Sequence, residues 1–102
     1  MTALISPTSM TVEKIRQKII PVLQPYGVTR VGLFGSAARG ELRAGSDIDI
    51  LVDITKNISL LEFVAIKLRL EEQLGRKVDL VEYRTLKPAL KEKIIRQQLI
   101  LL

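Results

Sequence analysis

The 102-residue sequence contains no cysteine, no histidine and no tryptophan. Without cysteine there are no disulfides, no thiolate nucleophile and no cysteine-ligated zinc, and without histidine there is no Ser-His-Asp relay. Catalysis by this chain would therefore use carboxylates, hydroxyls, Lys or Arg, or a metal bound through oxygen atoms, such as Mg²⁺.

Long apolar runs are missing as well. The sequence has no run of about 18 apolar residues, and residues 1–10 have no basic start, so we expect neither a membrane span nor a signal peptide, and a cytoplasmic location. A hydrophobic fraction of 47% and a net charge of +5 are ordinary for one globular domain. We expect residues 1–10 to be an N-terminal arm and 11–102 to be that domain.

Hydrophobic patterns predict alternating helices and strands. Helical spacing predicts helices at 11–23, 36–43, 59–74 and 87–98. Alternating β-branched residues predict strands at 28–34, 47–54 and 78–83. Ser59 and Glu62 form a capping-box sequence that opens the third helix, and Pro21 is expected to kink or shorten the first.

Two carboxylates lie close together on the second predicted strand. Asp47 and Asp49 are two residues apart, so both project from one face of the pleat. Such a pair is costly unless a cation lies between the two groups. An isolated Asp-x-Asp would more often be a solvated strand start, but this pair has further residues around it.

Gly35 and Ser36 precede the pair in the pattern G-S-x10-D-x-D. The glycine ends a predicted strand and lets the backbone approach a ligand closely. The serine hydroxyl and the free N–H groups of a helix start would offer a place for a phosphate. From average residue frequencies, these four positions would match by chance on the order of once in a thousand chains of this length.

Asp79, on the third predicted strand, is a third carboxylate. If that strand lies beside the second, three carboxylates converge in a cluster that suits one or two Mg²⁺ ions and nucleotide phosphates. Nucleotidyl transfer needs such metals, donors for the triphosphate and a base for the attacking hydroxyl, and Asp79 is our candidate base. Asp53 lies at the far end of its strand and is not included.

Residues 32–40 (GLFGSAARG), 46–52 (SDIDILV) and 77–81 (KVDLV) resemble the minimal nucleotidyltransferase (MNT) branch of the DNA polymerase β-like superfamily. The likeness covers nearly the whole chain. It implies an α/β (α+β) fold, in which helices flank a small mixed sheet of three or more strands. It also implies these roles: catalysis and Mg²⁺ binding by Asp47, Asp49 and Asp79, and nucleotide binding by Gly35, Ser36 and Arg39.

Stand-alone MNT proteins of this size resemble antitoxins of HEPN/MNT toxin–antitoxin pairs. The resemblance implies a hetero-oligomer with a HEPN ribonuclease toxin and transfer of AMP from ATP to a toxin tyrosine. Two alternatives stay open: a catalytically idle antitoxin that acts by binding, and a transferase that acts on RNA or a small molecule. For Arg39, an ordinary solvated position is the alternative to a phosphate or acceptor contact.

The C-terminal part is basic and then strongly apolar. Direct nucleic-acid binding is not expected, because the chain has only two Phe and two Tyr for base stacking. The apolar tail either folds back on the core or forms an interface. We favour an interface, since a domain this small cannot enclose both ATP and a large acceptor. The tail comprises Leu99, Ile100, Leu101 and Leu102.

Overall fold

The structure is a computed structural model that describes residues 11–40 and 45–102. The predicted arm at 1–10 and the end of the predicted helix at 36–43 lie outside these ranges. Among the described helices, none is long and apolar enough to cross a membrane.

The described chain forms three α-helices and four β-strands. In chain order these are α1 (Val12–Leu23), β1 (Val28–Phe34), β2 (Ile48–Ile54), α2 (Leu60–Leu74), β3 (Val78–Glu82), α3 (Pro88–Gln97) and β4 (Leu99–Ile100). Short 3-10 turns occupy Gln24–Tyr26 and Tyr83–Thr85. The three predicted strands and the three longer predicted helices are confirmed to within one residue at each end, and α1 continues through Pro21.

The short helix predicted after Gly35 is wrong for the part of it that is described. Residues 35–40 form consecutive turns, in which the N–H groups of Ala38 and Arg39 donate to the Gly35 carbonyl at 3.1 and 3.3 Å. Gly35 and Gly40 both have a left-handed backbone, with φ of +72° and +70°. A left-handed residue interrupts a right-handed helix, so the chain turns here instead.

Helix caps account for where α1 and α2 begin. The Thr11 side chain accepts a hydrogen bond from the Lys14 N–H at 3.1 Å. Ser59 and Glu62 form the predicted capping box, because each side chain accepts from the other's backbone N–H at 3.1 Å. Gly75 ends α2 in the left-handed conformation.

The four strands form one mixed sheet in the order β3-β2-β1-β4. β1 pairs antiparallel with β2 and with β4, whereas β2 and β3 are parallel and are joined through α2. The fold class expected from the sequence is therefore confirmed, with one more strand than the three predicted from pattern.

One face of the sheet carries the core. On β2, Ile48, Ile50 and Val52 point to this face and are at most 1% exposed. The helices α1 and α2 cover it with apolar side chains at helical spacing, and these side chains are Ile15, Ile19, Leu23, Ile66, Leu70 and Leu74.

The C-terminal tail folds back along β1. The Leu101 N–H donates to the Val31 carbonyl at 2.8 Å, and the Val31 N–H donates to the Leu102 carbonyl at 3.1 Å. The Leu101 side chain is 6% exposed and belongs to the core. The predicted interface role is therefore wrong for Leu101, because burying its side chain in this chain's own core removes it from a partner's reach.

Candidate active site

Asp49 and Asp79 lie side by side at the end of the parallel strand pair. They are register partners on β2 and β3, and neighbouring strands are about 4.8 Å apart. Asp49 is half-buried on the central strand, and Asp79 is exposed on the strand at the sheet's edge. The predicted convergence of these two carboxylates is confirmed.

Asp47 lies just before β2 and is exposed. Burial of Asp49, then the negative charge of Asp79 and that of Asp47, raise the pKa of Asp49 above its ordinary 3.8. Three carboxylates with this mutual repulsion have the hard oxygen donors that Mg²⁺ prefers, and a cation among them would relieve the repulsion. In residues 11–40 and 45–102, no three acidic side chains are close enough together, as they stand, to bind one metal ion. Asp47 would therefore turn toward the other two to bind the same ion.

Gly35 follows the last residue of β1 and lies against the Asp49 carboxylate. Its neighbour Phe34 is the register partner of Asp49, so the chain turns immediately above that side chain. A Cβ atom on Gly35 would lie 2.6 Å from Asp49 Oδ2, and the residue has a φ of +72°. Both observations require glycine here, and the group that Gly35 approaches is the Asp49 carboxylate. Close approach of this backbone to a ligand stays a prediction.

Two cavities flank the carboxylates under α3. One cavity of about 250 Å³, called the Arg39 cavity below, is lined by Phe34, Gly35, Arg39 and Gln97. An apolar cavity of about 200 Å³ is lined by Phe34, Asp49, Ile50, Leu51, Asp79, Val81, Leu86 and Ile94. The structure thus brings Arg39 to Gly35, and brings Asp49 and Asp79 together beside them. Ser36 lies half-buried in the turn that follows Gly35.

A cluster that the sequence analysis missed ties α3 to the sheet. The Tyr83 side chain is 1% exposed, and its hydroxyl donates to Gln98 Oε1. These two residues flank α3, which itself has no buried residue. The Arg30 guanidinium stacks on the Tyr83 ring, 3.8 Å from its centre, and pairs with Asp53 at 3.1 Å.

Burial raises the pKa of the Tyr83 hydroxyl, and the nearby positive charge of Arg30 works against this. The phenol therefore stays protonated and keeps donating its hydrogen bond. A signal for this cluster was present in the sequence, because Arg30 and Asp53 are opposite charges on neighbouring strands. It depends on strand order, which the sequence pattern does not give. The pairing also explains why Asp53 stands apart from the carboxylate site.

Residues 17–102 match the family described as polymerase beta, nucleotidyltransferase. The chain belongs to this nucleotidyltransferase family. The matched range contains every predicted site residue. The resemblance inferred from the three sequence segments is therefore confirmed.

Individual relatives have more specific names than the family does. The chain is 43% identical over 72 residues to protein adenylyltransferase MntA of Thermococcus cleftensis, covering 71% of this chain and 73% of that protein. It is similar to a chain of a toxin–antitoxin structure with AMP-PNP, at 28% identity and a TM-score of 0.75, covering 85% of this chain and 72% of that one.

A second solved structure holds a tri-AMPylated Shewanella oneidensis HEPN toxin in complex with MNT antitoxin. The similarity to a chain of that complex is 25% identity with a TM-score of 0.69, covering 88% of this chain and 71% of that one. This nucleotidyltransferase thus shares its fold with chains of toxin–antitoxin structures, one of which contains AMP-PNP and another an AMPylated toxin.

Proposed function

We propose that this chain is a cytoplasmic, Mg²⁺-dependent protein adenylyltransferase that moves AMP from ATP to a tyrosine of a HEPN-family toxin and thereby acts as its antitoxin. One observation carries the proposal: in a chain of the nucleotidyltransferase family, Asp49 and Asp79 pair in register, and Gly35 lies against Asp49 where a Cβ atom would meet its carboxylate. The AMPylated toxin in a similar complex supports the acceptor class.

The nucleotide is expected to lie along the turn after β1. Asp47, Asp49 and Asp79 would hold Mg²⁺, which when bound offsets the negative charge of the triphosphate. Gly35 leaves room for a phosphate to approach the backbone, and Ser36 supplies a hydroxyl donor. Arg39, which lines the same cavity as Gly35, would contribute a charge-assisted hydrogen bond.

Asp79 is the group best placed to accept the proton of the acceptor. It is exposed on the edge strand, so an incoming hydroxyl can reach its carboxylate. The phenolic oxygen forms a bond to the α-phosphorus while the bond from that phosphorus to the bridging oxygen breaks and pyrophosphate leaves. The phenolic proton passes to the Asp79 carboxylate.

The partner surface is proposed to include the outward side of β4. Leu99, Ile100 and Leu102 remain 36%, 64% and 44% exposed, in contrast to Leu101. Exposed apolar side chains grouped at a sheet edge are typical of interaction sites. The net charge of +5 would favour an acidic partner.

Intact mass spectrometry of the candidate toxin tests the proposal. The toxin is incubated with this chain, ATP and Mg²⁺, beside an Asp47→Asn/Asp49→Asn double variant. A Glu13→Gln/Glu92→Gln double variant is the matched control, since it removes the same charge from exposed helix positions. AMP increments with the wild-type chain and the control, and none with the first variant, are expected.

The opposite result has a definite meaning. A stable complex without any mass increment, and full neutralisation by the Asp47→Asn/Asp49→Asn variant, would contradict the transferase and favour an antitoxin that acts by binding alone. Transfer of AMP to RNA or to a small molecule in place of the toxin would contradict the proposed acceptor.

A further inference from the structure

The apolar cavity beside the carboxylates is not needed to hold the triphosphate. Its walls come from β1, β2, β3, α3 and the segment that leads into α3, and the aliphatic side chains outside the core that line it are Leu51, Val81, Leu86 and Ile94. Its polar groups are the carboxylates of Asp49 and Asp79. The ligand that best suits such a recess is apolar along its sides and has a polar group at the end that meets the two carboxylates.

The recess adjoins the proposed phosphate site. Phe34 lines both the Arg39 cavity and the apolar recess, and the Asp49 carboxylate of the recess lies against Gly35 of the Arg39 cavity. A group seated in the recess would therefore face the phosphates across Asp49. This is the relative position that the attacking and leaving groups of a displacement require.

The volume of the recess suits one side chain and not a whole nucleotide. Its volume of about 200 Å³ is below the roughly 300–1,000 Å³ of pockets that enclose a whole small-molecule ligand. A complete nucleoside triphosphate does not fit, whereas one aromatic ring does.

The side chains that line the recess favour a phenol over an adenine as its ligand. Adenine has several ring nitrogens that accept hydrogen bonds, and a specific adenine site pairs them with donors. The side chains that line this recess supply no donor, because carboxylates only accept when ionised. A phenol has an apolar ring for the aliphatic walls and one hydroxyl donor, placed opposite its point of attachment, for the carboxylates.

We propose that the apolar recess between β2, β3 and α3 binds the aromatic ring of the acceptor tyrosine and presents its hydroxyl to Asp79 and the α-phosphate. The inference rests on the proposed transferase activity and names the part of the site that selects the acceptor. In the displacement, the oxygen–phosphorus bond forms at the carboxylate end of the recess and the phenolic proton passes to Asp79. The bond from the α-phosphorus to the bridging oxygen breaks, and pyrophosphate departs on the Gly35 side.

A filling substitution tests the recess. Leu86→Trp would occupy it, and Leu90→Trp is the matched control, because Leu90 lies on α3, is 52% exposed and does not line the recess. With the toxin as acceptor, Leu86→Trp should lower kcat/KM for the toxin at least tenfold. ATP affinity, measured by titration calorimetry with Mg²⁺, should stay within about twofold. Leu90→Trp should match the wild-type chain in both measurements.

A loss of ATP affinity in Leu86→Trp that parallels the loss of transfer would overturn the proposal, because the recess would then hold the adenine. Unchanged transfer in a folded Leu86→Trp variant would overturn it equally.

A binding measurement separates this inference from the proposed function. Methyl NMR spectra of the full chain are recorded with p-cresol, toluene or adenosine. We expect p-cresol to shift Leu51 and Val81 more strongly than toluene does, and to lose this effect in Leu86→Trp. If no AMP transfer occurs, p-cresol binding in the recess still supports the phenol site. Preferential shifts with adenosine, or none with p-cresol, reject it.

Discussion

The two faces of the sheet differ in how they are covered. The face that receives α1 and α2 is closed, and its β2 residues Ile48, Ile50 and Val52 are at most 1% exposed. The opposite face carries Asp49 and Asp53 and is covered by α3, a helix with no buried residue of its own. We infer that the first face supplies most of the stability, and that the incomplete cover of the second leaves room for substrates.

The alternation of a single strand produces this division. Successive residues of β2 point to opposite faces, so the acidic residues all lie on the open face, together with Leu51, without any break in the sequence. Changes on the two faces should therefore have separable effects, on unfolding for one and on transfer for the other.

The largest effect is expected at the closed face. Leu70 of α2 is fully buried, whereas Leu68 on the same helix is 55% exposed. Leu70→Ala should lower the free energy of unfolding by about 2–5 kcal/mol, since it removes core contacts and leaves a cavity. Leu68→Ala should change it by less than about 0.5 kcal/mol. Denaturant unfolding of both variants measures the difference, and equal losses would refute the assignment of the core to this face.

A smaller effect separates two glycines that share a left-handed backbone. Gly35 and Gly75 have φ of +72° and +66°, but only at Gly35 would a Cβ meet another group, the Asp49 carboxylate. Each Gly→Ala change should cost about 1–2 kcal/mol of stability from backbone strain. Only Gly35→Ala should also reduce AMP transfer more than tenfold, because it displaces Asp49. Similar transfer by both variants, measured by toxin mass, would contradict a role for Gly35 in the site.

The smallest expected effect is on the pH dependence of folding stability, to which Asp49 and Glu71 should contribute with opposite signs. The raised pKa of Asp49 means that the folded chain binds that proton more tightly than the unfolded chain does. Its stabilising contribution is present below pH 3.8 and is lost as the pH rises through the folded pKa. The Val78 N–H donates to Glu71 at 2.9 Å and, with the charge of Lys67, lowers the pKa of Glu71. That contribution is present above pH 4.5 and is lost as the pH falls through the folded pKa.

Denaturant unfolding at several pH values, without divalent cations, checks both signs. Relative to Asp49→Asn, the wild-type chain should lose stability as the pH rises, and added Mg²⁺ should remove this loss. Relative to Glu71→Gln, the wild-type chain should gain stability over the same range. Slopes of the same sign for the two comparisons would contradict either the raised pKa of Asp49 or the lowered pKa of Glu71.

Local pattern was enough to predict most elements of this fold. The seven-residue strand β1 and the capping box of Ser59 and Glu62 follow from rules that act over a few neighbouring residues. The two-residue strand β4 was not predicted, because it exists only through its pairing with β1. For the same reason the tail was interpreted as an interface, although Leu101 belongs to the core.

The candidate site was predictable in the part that motif spacing encodes. The spacing pattern from Gly35 to Asp49 predicted four of the site residues. The pairing of Asp49 with Asp79 required only that two predicted strands be adjacent. The apolar recess and the Tyr83–Gln98 hydrogen bond were not predictable, because each joins residues that come together only when α3 packs on the sheet. Long-range packing of this kind leaves no periodic signal in the sequence.

The central position of β2 has a consequence for motion. β2 is hydrogen-bonded on both sides, to β1 and to β3, so its amide protons should be among the slowest in the chain to exchange with solvent. Asp49 is therefore fixed to one of the least mobile parts of the molecule, while α3 is tied to the sheet by residues at its two ends. We expect any opening of the space between them to come from α3 more than from β2. The rate at which products leave would then depend on the helix, and the placement of the reacting groups on the strand.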